Sequence, residues 1–174
     1  MIFKKFMDSL SLTFPKGESY FMRAIRHYYD ELPLYLQERM DTFEKDEIRH
    51  TRSHREYNQT LGLNLLEINR ETDIRLNKMG QDPESMLKTT LILEKLTRWG
   101  AKVLPYIHKP LLKDVPEPMK TNWLVHGREE VKHTSDVAEV GKYLGITRKE
   151  LLAHSPKVVL GLLKQIASNY RRLS

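Results

Sequence analysis

Two Glu-x-x-His sequences are the part of this chain with the clearest capacity for chemistry. Glu47 and His50 form the first pair, and Glu130 and His133 form the second. In an α-helix, two residues three apart lie about 60° from each other around the axis, so both side chains can reach one metal ion from one face. A single such pair is common on a solvated helix surface. Two pairs on two long helices indicate a metal site.

Two further acids have spacings that fit the same site. Glu18 lies 29 residues before Glu47, and Glu94 lies 36 residues before Glu130. The midpoint of each interval falls where a turn between two helices is predicted, so folding the chain there brings the two acids of each pair to the same height. The order Glu, Glu-x-x-His, Glu, Glu-x-x-His is the ligand set of the ferritin-like four-helix bundle.

The charge of this ligand set suits two divalent cations. Four carboxylates carry a charge of about −4, two divalent cations neutralise it, and two neutral imidazoles complete the coordination. Glu94 lies in the most apolar part of its helix, where a lone solvated acid is not expected, whereas Glu18 lies near a helix start, where the helix dipole alone favours Glu. The expected metal ligands are Glu18, Glu47, His50, Glu94, Glu130 and His133.

Two more histidines fall on the same helix faces. His54 lies seven residues after Glu47, and His126 lies four residues before Glu130. Both can point toward the metals. They are candidates for additional ligands, proton shuttles or groups that orient the carboxylates. The alternative of equal weight is a partly exposed histidine at the end of the bundle.

The helices that must position these residues are predicted from apolar spacing and capping signals. No stretch alternates apolar and polar residues as a half-buried strand would, so the chain is predicted to be all-α. The four main helices are expected at about 14–30, 33–57, 82–107 and 119–143, with a crossover at 62–80 and a proline-rich loop at 109–118.

Further helices are expected after these four. Thr147 to Glu150 forms a capping box, and Ser155-Pro156 predicts the start of a last helix that ends near Arg172. The expected architecture is one ferritin-like helical domain over 1–174, with the metal-binding bundle at about 15–144 and C-terminal helices at about 147–172.

The composition excludes several classes of protein. The chain has no cysteine, which excludes a disulfide scaffold, a thiolate zinc site, an iron–sulfur cluster and a cysteine nucleophile. No apolar run reaches the roughly 20 residues of a transmembrane helix, and the N-terminus lacks the pattern of a secretory signal. The net charge of +6 is scattered among acids, and no nucleic-acid motif is present. We expect a soluble, cytoplasmic protein without a membrane or nucleic-acid partner.

Three blocks of the sequence resemble the bacterial family known as predicted metal-dependent hydrolases. The blocks are SLSLTFPKGE at 9–18, EIRHTRSHREYN at 47–58 and WLVHGREEVKH at 123–133. The resemblance covers nearly the whole chain and implies a ferritin-like helical fold, metal at the six expected ligands, and site roles for His54 and His126. The family pattern has a histidine where this chain has Lys95, an aspartate where it has Glu139, and a longer segment before the first block.

The expected ligand set admits two classes of reaction. With iron or manganese such a site supports oxidation or oxygenation by dioxygen, and with zinc or manganese it supports hydrolysis by a bridging water. Carboxylates mixed with two histidines in a helical bundle match the oxygen-activating type better, so a di-iron enzyme is preferred and a metal-dependent hydrolase is the alternative. A third hypothesis is a non-enzymatic iron-binding protein, which a large native assembly would favour. The expected partners are a small-molecule substrate and an electron donor, and the expected state is a monomer or homodimer.

Overall fold

The computed structural model describes residues 2–173, apart from the side chains of Pro105, Ile107, His108, Pro110 and Leu111. Within this range the chain forms helices and no strand, which confirms the all-α prediction. The helices are α1 (Ile2–Ser11), α2 (Phe14–Arg26), α3 (Leu34–Gln59), α4 (Leu65–Met79), α5 (Pro83–Leu111), α6 (Glu117–Tyr143) and α7 (Arg148–Arg172), with a 3-10 turn at Tyr29–Glu31. No helix in the described range is long and apolar enough to cross a membrane.

Two helices carry a buried stripe that changes from apolar to polar along its length. In α3 the stripe begins with Leu36, Met40 and Phe43 and continues with Glu47 and His50. These residues are three or four positions apart, so they lie on one face of the helix. The stripe of α6 likewise places polar residues between apolar ones. The apolar part of each stripe packs the helix, and the polar part supplies the candidate site.

Four helices contact one another in a closed ring. α2 packs against α3 and α5, and α6 packs against the same two helices. α4 connects α3 to α5 as the predicted crossover and packs against α7 outside the ring. This arrangement agrees with the expected set of four main helices. Its assignment as a ferritin-like bundle stays a prediction.

Two apolar clusters lie on opposite sides of the candidate site. Phe43 belongs to the larger cluster, and its ring centroid lies 5.0 Å from that of His133. Trp123 belongs to the smaller cluster, and its ring centroid lies 4.9 Å from that of His54. Each fully buried large apolar side chain stabilises the fold by about 1.5–3 kcal/mol. The site therefore lies between two layers of core.

α1 was not predicted from the sequence. Its apolar residues, Ile2, Phe3, Phe6, Met7 and Leu10, do recur at helical spacing. Ile2, Phe3 and Phe6 are exposed, whereas Met7 and Leu10 pack in the smaller core cluster. Polar contacts to other helices also hold it. The hydroxyl of Tyr57 on α3 donates to Asp8 at 2.6 Å, and Asn169 of α7 donates to the Ser9 backbone oxygen at 3.1 Å.

The C-terminal part of the chain is one helix, so the prediction of a separate helix starting at Ser155-Pro156 was wrong. The capping box is present, because Thr147 Oγ1 accepts from the Glu150 backbone N–H at 3.3 Å and the Glu150 side chain accepts from the Thr147 backbone N–H at 2.8 Å. The helix then continues through Pro156. Proline removes one hydrogen-bond donor, but burial of Val158 against the larger core keeps the helix in place.

Gly80 ends α4 at a point where no side chain fits. A Cβ there would lie 2.4 Å from the Ser85 backbone oxygen and 2.7 Å from the Tyr20 hydroxyl. The same hydroxyl donates to the Gly80 backbone oxygen at 2.8 Å, which ties α2 to the α4–α5 connection. The φ angle of −162° is ordinary extended backbone, so the restriction is steric.

We expect Gly80→Ala to lower the free energy of unfolding by about 1–3 kcal/mol, because the backbone of α5 must move to admit the methyl group. Gly100→Ala is the control: nothing lies within 4 Å of an added Cβ, and alanine should stabilise α5 by about 0.5–1 kcal/mol. Urea unfolding followed by circular dichroism measures both. Equal stability of Gly80→Ala and the wild type would contradict the steric restriction.

Candidate metal centre

The eight residues selected from the sequence are buried at the middle of the helix ring, and none is more than 5% exposed. Glu47, His50, Glu130 and His133 each place one potential ligand atom within 4.8 Å of the others. Glu18, His50 and His126 form a second group by the same measure. The structure thus brings together residues from α2, α3 and α6, and their role as metal ligands stays a prediction.

Glu94 is the contribution of α5 to this region. Its side chain is 1% exposed, and its backbone oxygen accepts a hydrogen bond from Thr134 Oγ1 of α6 at 2.9 Å. It belongs to neither group of close ligand atoms. Its charge nevertheless interacts with those of Glu130 and Glu47. Among the six expected ligands, Glu94 alone lies outside both groups.

Seven buried side-chain atoms of the expected ligands have no hydrogen-bond partner. They are Oε1 of Glu18, both carboxylate oxygens of Glu47 and of Glu94, and Nδ1 of His50 and of His133. His133 Nδ1 is 3.0 Å from Glu47 Oε1, but the contact does not have hydrogen-bond geometry. A buried polar atom without a partner costs about 1–3 kcal/mol. Oxygen and imidazole atoms gathered in this way fit a divalent cation.

The two histidines of the Glu-x-x-His pairs are held on their other side by acids that sequence reasoning missed. His50 Nε2 lies 2.7 Å from Glu129 of α6, and His133 Nε2 lies 3.2 Å from Asp46 of α3. Arg49 pairs with both acids, at 2.7 and 3.0 Å. A metal-binding histidine typically donates its second N–H to a carboxylate in this way. Each acid directly precedes the glutamate of a pair, and that adjacency was the available signal.

Threonine hydroxyls hold one oxygen of two carboxylates. Thr51 donates to Oε2 of Glu18 at 2.7 Å, and Thr97 donates to Oε2 of Glu130 at 2.8 Å. Both threonines are on ring helices, three or four residues from expected ligands. Each hydrogen bond fixes the carboxylate plane, so the Oε1 atom is directed toward the other side chains of the centre.

The electrostatic environment shifts the pKa values of the carboxylates in different directions. Burial, followed by repulsion from neighbouring carboxylates, raises the pKa of Glu18 and of Glu94 well above the ordinary range. Burial would also raise the pKa of Glu130, but the hydrogen bond from His126 and the nearby charges of His126 and His133 lower it instead. Buried acids with raised pKa values need either a proton or a bound cation.

The same acids raise the pKa values of two of the histidines. Burial would lower the pKa of His133, but contacts with Glu130 and Glu47 outweigh it and raise the pKa to about 11. Burial would likewise lower the pKa of His50, but its contact with Glu47 outweighs burial and raises the pKa. A ligating imidazole must be neutral, so a metal would take the place of the protons that these groups otherwise hold.

His54 and His126 extend the centre toward α1. His54 Nε2 lies 3.0 Å from His126 Nδ1, and His54 Nδ1 lies 2.9 Å from the Ser11 hydroxyl. Phe14 stacks on the His54 ring at 4.7 Å, and Trp123 meets it edge-on. Burial, followed by the charge of His126, lowers the pKa of His54 well below its ordinary value. The alternative of partly exposed histidines at the end of the bundle is therefore wrong.

Two positions at which the chain departs from the pattern it resembles lie outside the centre. Lys95 is exposed. Glu139 forms an ion pair with Arg39 and is half exposed. Neither side chain is among the potential ligand groups, so the two departures leave the centre unchanged.

Comparison with known proteins gives one informative match. A family model described as predicted metal-dependent hydrolase matches residues 1–167. No curated protein and no solved structure matches the chain. The matched range contains all eight residues of the centre.

We expect Glu94→Leu to raise the free energy of unfolding of chelator-treated protein by about 1–3 kcal/mol, because it replaces an unpartnered buried acid with an apolar side chain of similar volume. The same variant should lose the gain in stability that added metal gives the wild type. Thermal unfolding with and without metal measures both effects.

Glu38→Leu is the control for this substitution, because Glu38 is an exposed acid on α3. Its free energy of unfolding should stay within about 0.5 kcal/mol of the wild type, and its response to metal should be retained. If Glu94→Leu were less stable than the wild type in chelator, the carboxylate would be stabilising the metal-free fold, contrary to this prediction.

Proposed function

The chain belongs to the predicted metal-dependent hydrolase family, and we propose that it is an enzyme that holds two divalent metal ions at this centre. The observation that carries the proposal is the convergence of seven unpartnered buried ligand atoms. The proposed ligands are Glu18, Glu47, His50, Glu94, Glu130 and His133. The ring of α2, α3, α5 and α6 with α4 as crossover supports a ferritin-like arrangement, in which two helices each give a Glu and two give Glu-x-x-His.

The donor set indicates which metals to expect. Carboxylate oxygens and imidazole nitrogens, in a chain without thiolate, suit iron, manganese or zinc, and we propose iron first. Such ions supply either redox capacity or Lewis acidity and an activated water. The four carboxylates would neutralise the charge of both metal ions.

The surrounding residues have separate roles in this proposal. Asp46 and Glu129 orient the two histidines and keep their Nδ1 atoms available. Thr51 and Thr97 fix two of the carboxylates. The aromatic side chains on both sides of the centre exclude water, which strengthens every electrostatic interaction inside it.

Oxidation by dioxygen is the reaction class that we place first. None of the proposed ligands is more than 5% exposed, so a reactant that reaches them without rearrangement must be small. Dioxygen meets that requirement, and a carboxylate-rich site with two histidines suits iron. This class requires an external electron donor and a small-molecule substrate, which we propose as partners.

Hydrolysis is the second candidate, and a groove of about 380 Å³ between α2 and α3 favours it. Thr51 lines this groove, and its hydroxyl donates to the proposed ligand Glu18. Arg52, Arg55 and Glu56 also line it, and Arg52 pairs with Glu56 at 2.9 Å. Arg55 would therefore be the group that attracts an anionic substrate. The description of the family points to the same class.

We expect Glu47→Ala and His133→Ala each to lose most of the metal that co-purifies with the protein, because each removes a ligand from one close group. Both variants should keep the helical circular dichroism spectrum of the wild type. Glu56→Ala, at a 64% exposed side chain on the same helix as Glu47, should keep the wild-type metal content. Elemental analysis without added metal is the measurement, and two ions per chain in both ligand variants would exclude the proposed centre.

The reaction class is tested by loading the protein with one metal at a time. We expect the iron-loaded protein to consume dioxygen and develop a visible charge-transfer band, whereas the zinc-loaded protein does neither. Arg55→Ala should leave oxygen consumption unchanged, because its side chain lies in the groove. Hydrolysis of an anionic aryl ester by the zinc-loaded protein, lost in Arg55→Ala, with no oxygen consumption by the iron-loaded protein, would establish the second candidate instead.

A further inference from the structure

A series of hydrogen bonds runs from α1 to the candidate metal centre, and the donor and acceptor can be assigned at each link. Asn58 Nδ2 donates to the Ser11 backbone oxygen at 2.9 Å, and the Ser11 hydroxyl donates to Asn58 Oδ1 at 2.7 Å. The reversed amide would place two oxygens 2.9 Å apart, so only this orientation is favourable. The single hydroxyl proton of Ser11 is therefore used by Asn58.

This arrangement selects the tautomer of His54. The Ser11 oxygen has no further proton, so it accepts from His54 Nδ1 at 2.9 Å, and Nδ1 must carry hydrogen. His54 is completely buried, and its ring nitrogens bond to a hydroxyl and to another imidazole. A neutral imidazole has one N–H, so Nε2 of His54 has a free lone pair. That lone pair accepts from His126 Nδ1 at 3.0 Å.

His126 Nδ1 therefore donates to His54, and Nε2 is the nitrogen of His126 that faces the carboxylates. This atom lies 2.9 Å from Glu130 Oε1 and 3.7 Å from Glu18 Oε1. The Oε2 atoms of these carboxylates already accept from Thr97 and Thr51, and Glu18 Oε1 has no hydrogen-bond partner. A carboxylate only accepts, so without metal the 2.9 Å contact with Glu130 is a hydrogen bond donated by Nε2 of His126. A metal ion bound between these three atoms would take the place of that proton.

Given the proposed metal function, on which this inference rests, we propose that Nε2 of His126 is a seventh protein ligand, for the metal that Glu18 and His50 also bind. These three residues each place one ligand atom within 4.8 Å of the others. His50 uses Nε2 for Glu129, which leaves its Nδ1 for the metal. The two metal positions are then unequal, because one has two histidines and the other has only His133.

Ser11 and Asn58 are positioning residues for this ligand. If the Ser11 hydroxyl is removed, Nδ1–H of His54 loses its acceptor, and the other tautomer of His54 becomes favourable. That tautomer donates from Nε2 to His126 Nδ1, which moves the proton of His126 to Nε2. The proton then occupies the lone pair that the metal requires. α1 therefore controls the nitrogen that faces the metal.

The tautomers can be observed directly in zinc-loaded wild-type protein labelled with ¹⁵N-histidine. Two-bond ¹H–¹⁵N correlations distinguish protonated, free and metal-bound ring nitrogens. We expect His54 and His126 both to be protonated at Nδ1, with Nε2 of His126 bound to zinc. A proton on Nε2 of His126 in the zinc-loaded protein would overturn the proposal.

Zinc affinity, measured by competition with a chelator, provides the second test. His126→Ala should weaken the binding of one of the two zinc ions by more than about 100-fold. Ser11→Ala should weaken the binding of the same ion by about 10–100-fold. Ser9→Ala is the matched control. Ser9 is also completely buried on α1, but its hydroxyl donates only to backbone oxygens of its own helix at 2.9 Å, so zinc binding should be unchanged.

The outcomes separate this inference from the proposed function. Wild-type protein that binds no zinc would contradict the metal centre itself. Wild-type protein that binds two zinc ions, with both retained at wild-type affinity in His126→Ala and Ser11→Ala, would contradict only the role of His126. If His126→Ala lacks the helical spectrum of the wild type, Ser11→Ala and the spectrum of the labelled wild type decide.

Discussion

Four carboxylates buried at the middle of a helix ring are the constraint on which the rest of this structure depends. Glu18, Glu47, Glu94 and Glu130 are at most 5% exposed, and burying acids without partners costs several kcal/mol for each charge. Hydrogen bonds from two threonines and contacts with His50, His126 and His133 offset part of that cost. The lone pairs that remain require protons or cations, and their number and chemistry suit two divalent metals.

The two Glu-x-x-His helices support each other across the ring. Asp46 of α3 holds the histidine of α6, and Glu129 of α6 holds the histidine of α3, while Arg49 balances both acids. This near-symmetry ends at His54 and His126, which lie on one side only and connect the centre to α1. One metal position would therefore be richer in nitrogen than the other.

The sequence predicted the parts of the molecule that depend on periodicity within one helix. The Glu-x-x-His spacing, the buried stripes and the cap at Thr147 are of this kind, and the all-α class follows from them. Contacts that depend on the register between helices were not predictable, because nothing within one helix specifies that Ser11 meets His54. For Glu129 and His50 the sequence offered only the position of Glu129 next to Glu130, which does not identify its partner. α1 was missed although Ile2, Phe3, Phe6, Met7 and Leu10 recur at helical spacing, and its polar contacts with α3 and α7 depend on that same inter-helix register. The prediction divided the last helix at Pro156 because it used only the local proline signal. In the structure, packing of the helix outweighs that signal, and the helix is continuous.

The proposed centre is tested most directly by anomalous X-ray diffraction from crystals of protein purified without added metal, recorded at the iron, manganese and zinc absorption edges. The prediction is two anomalous peaks between Glu47 and Glu130, each about 2.0–2.3 Å from carboxylate oxygens and histidine nitrogens of the named ligands. Crystals with no anomalous peak at this position, in which the buried carboxylates are protonated and hydrogen-bonded to one another, would contradict it.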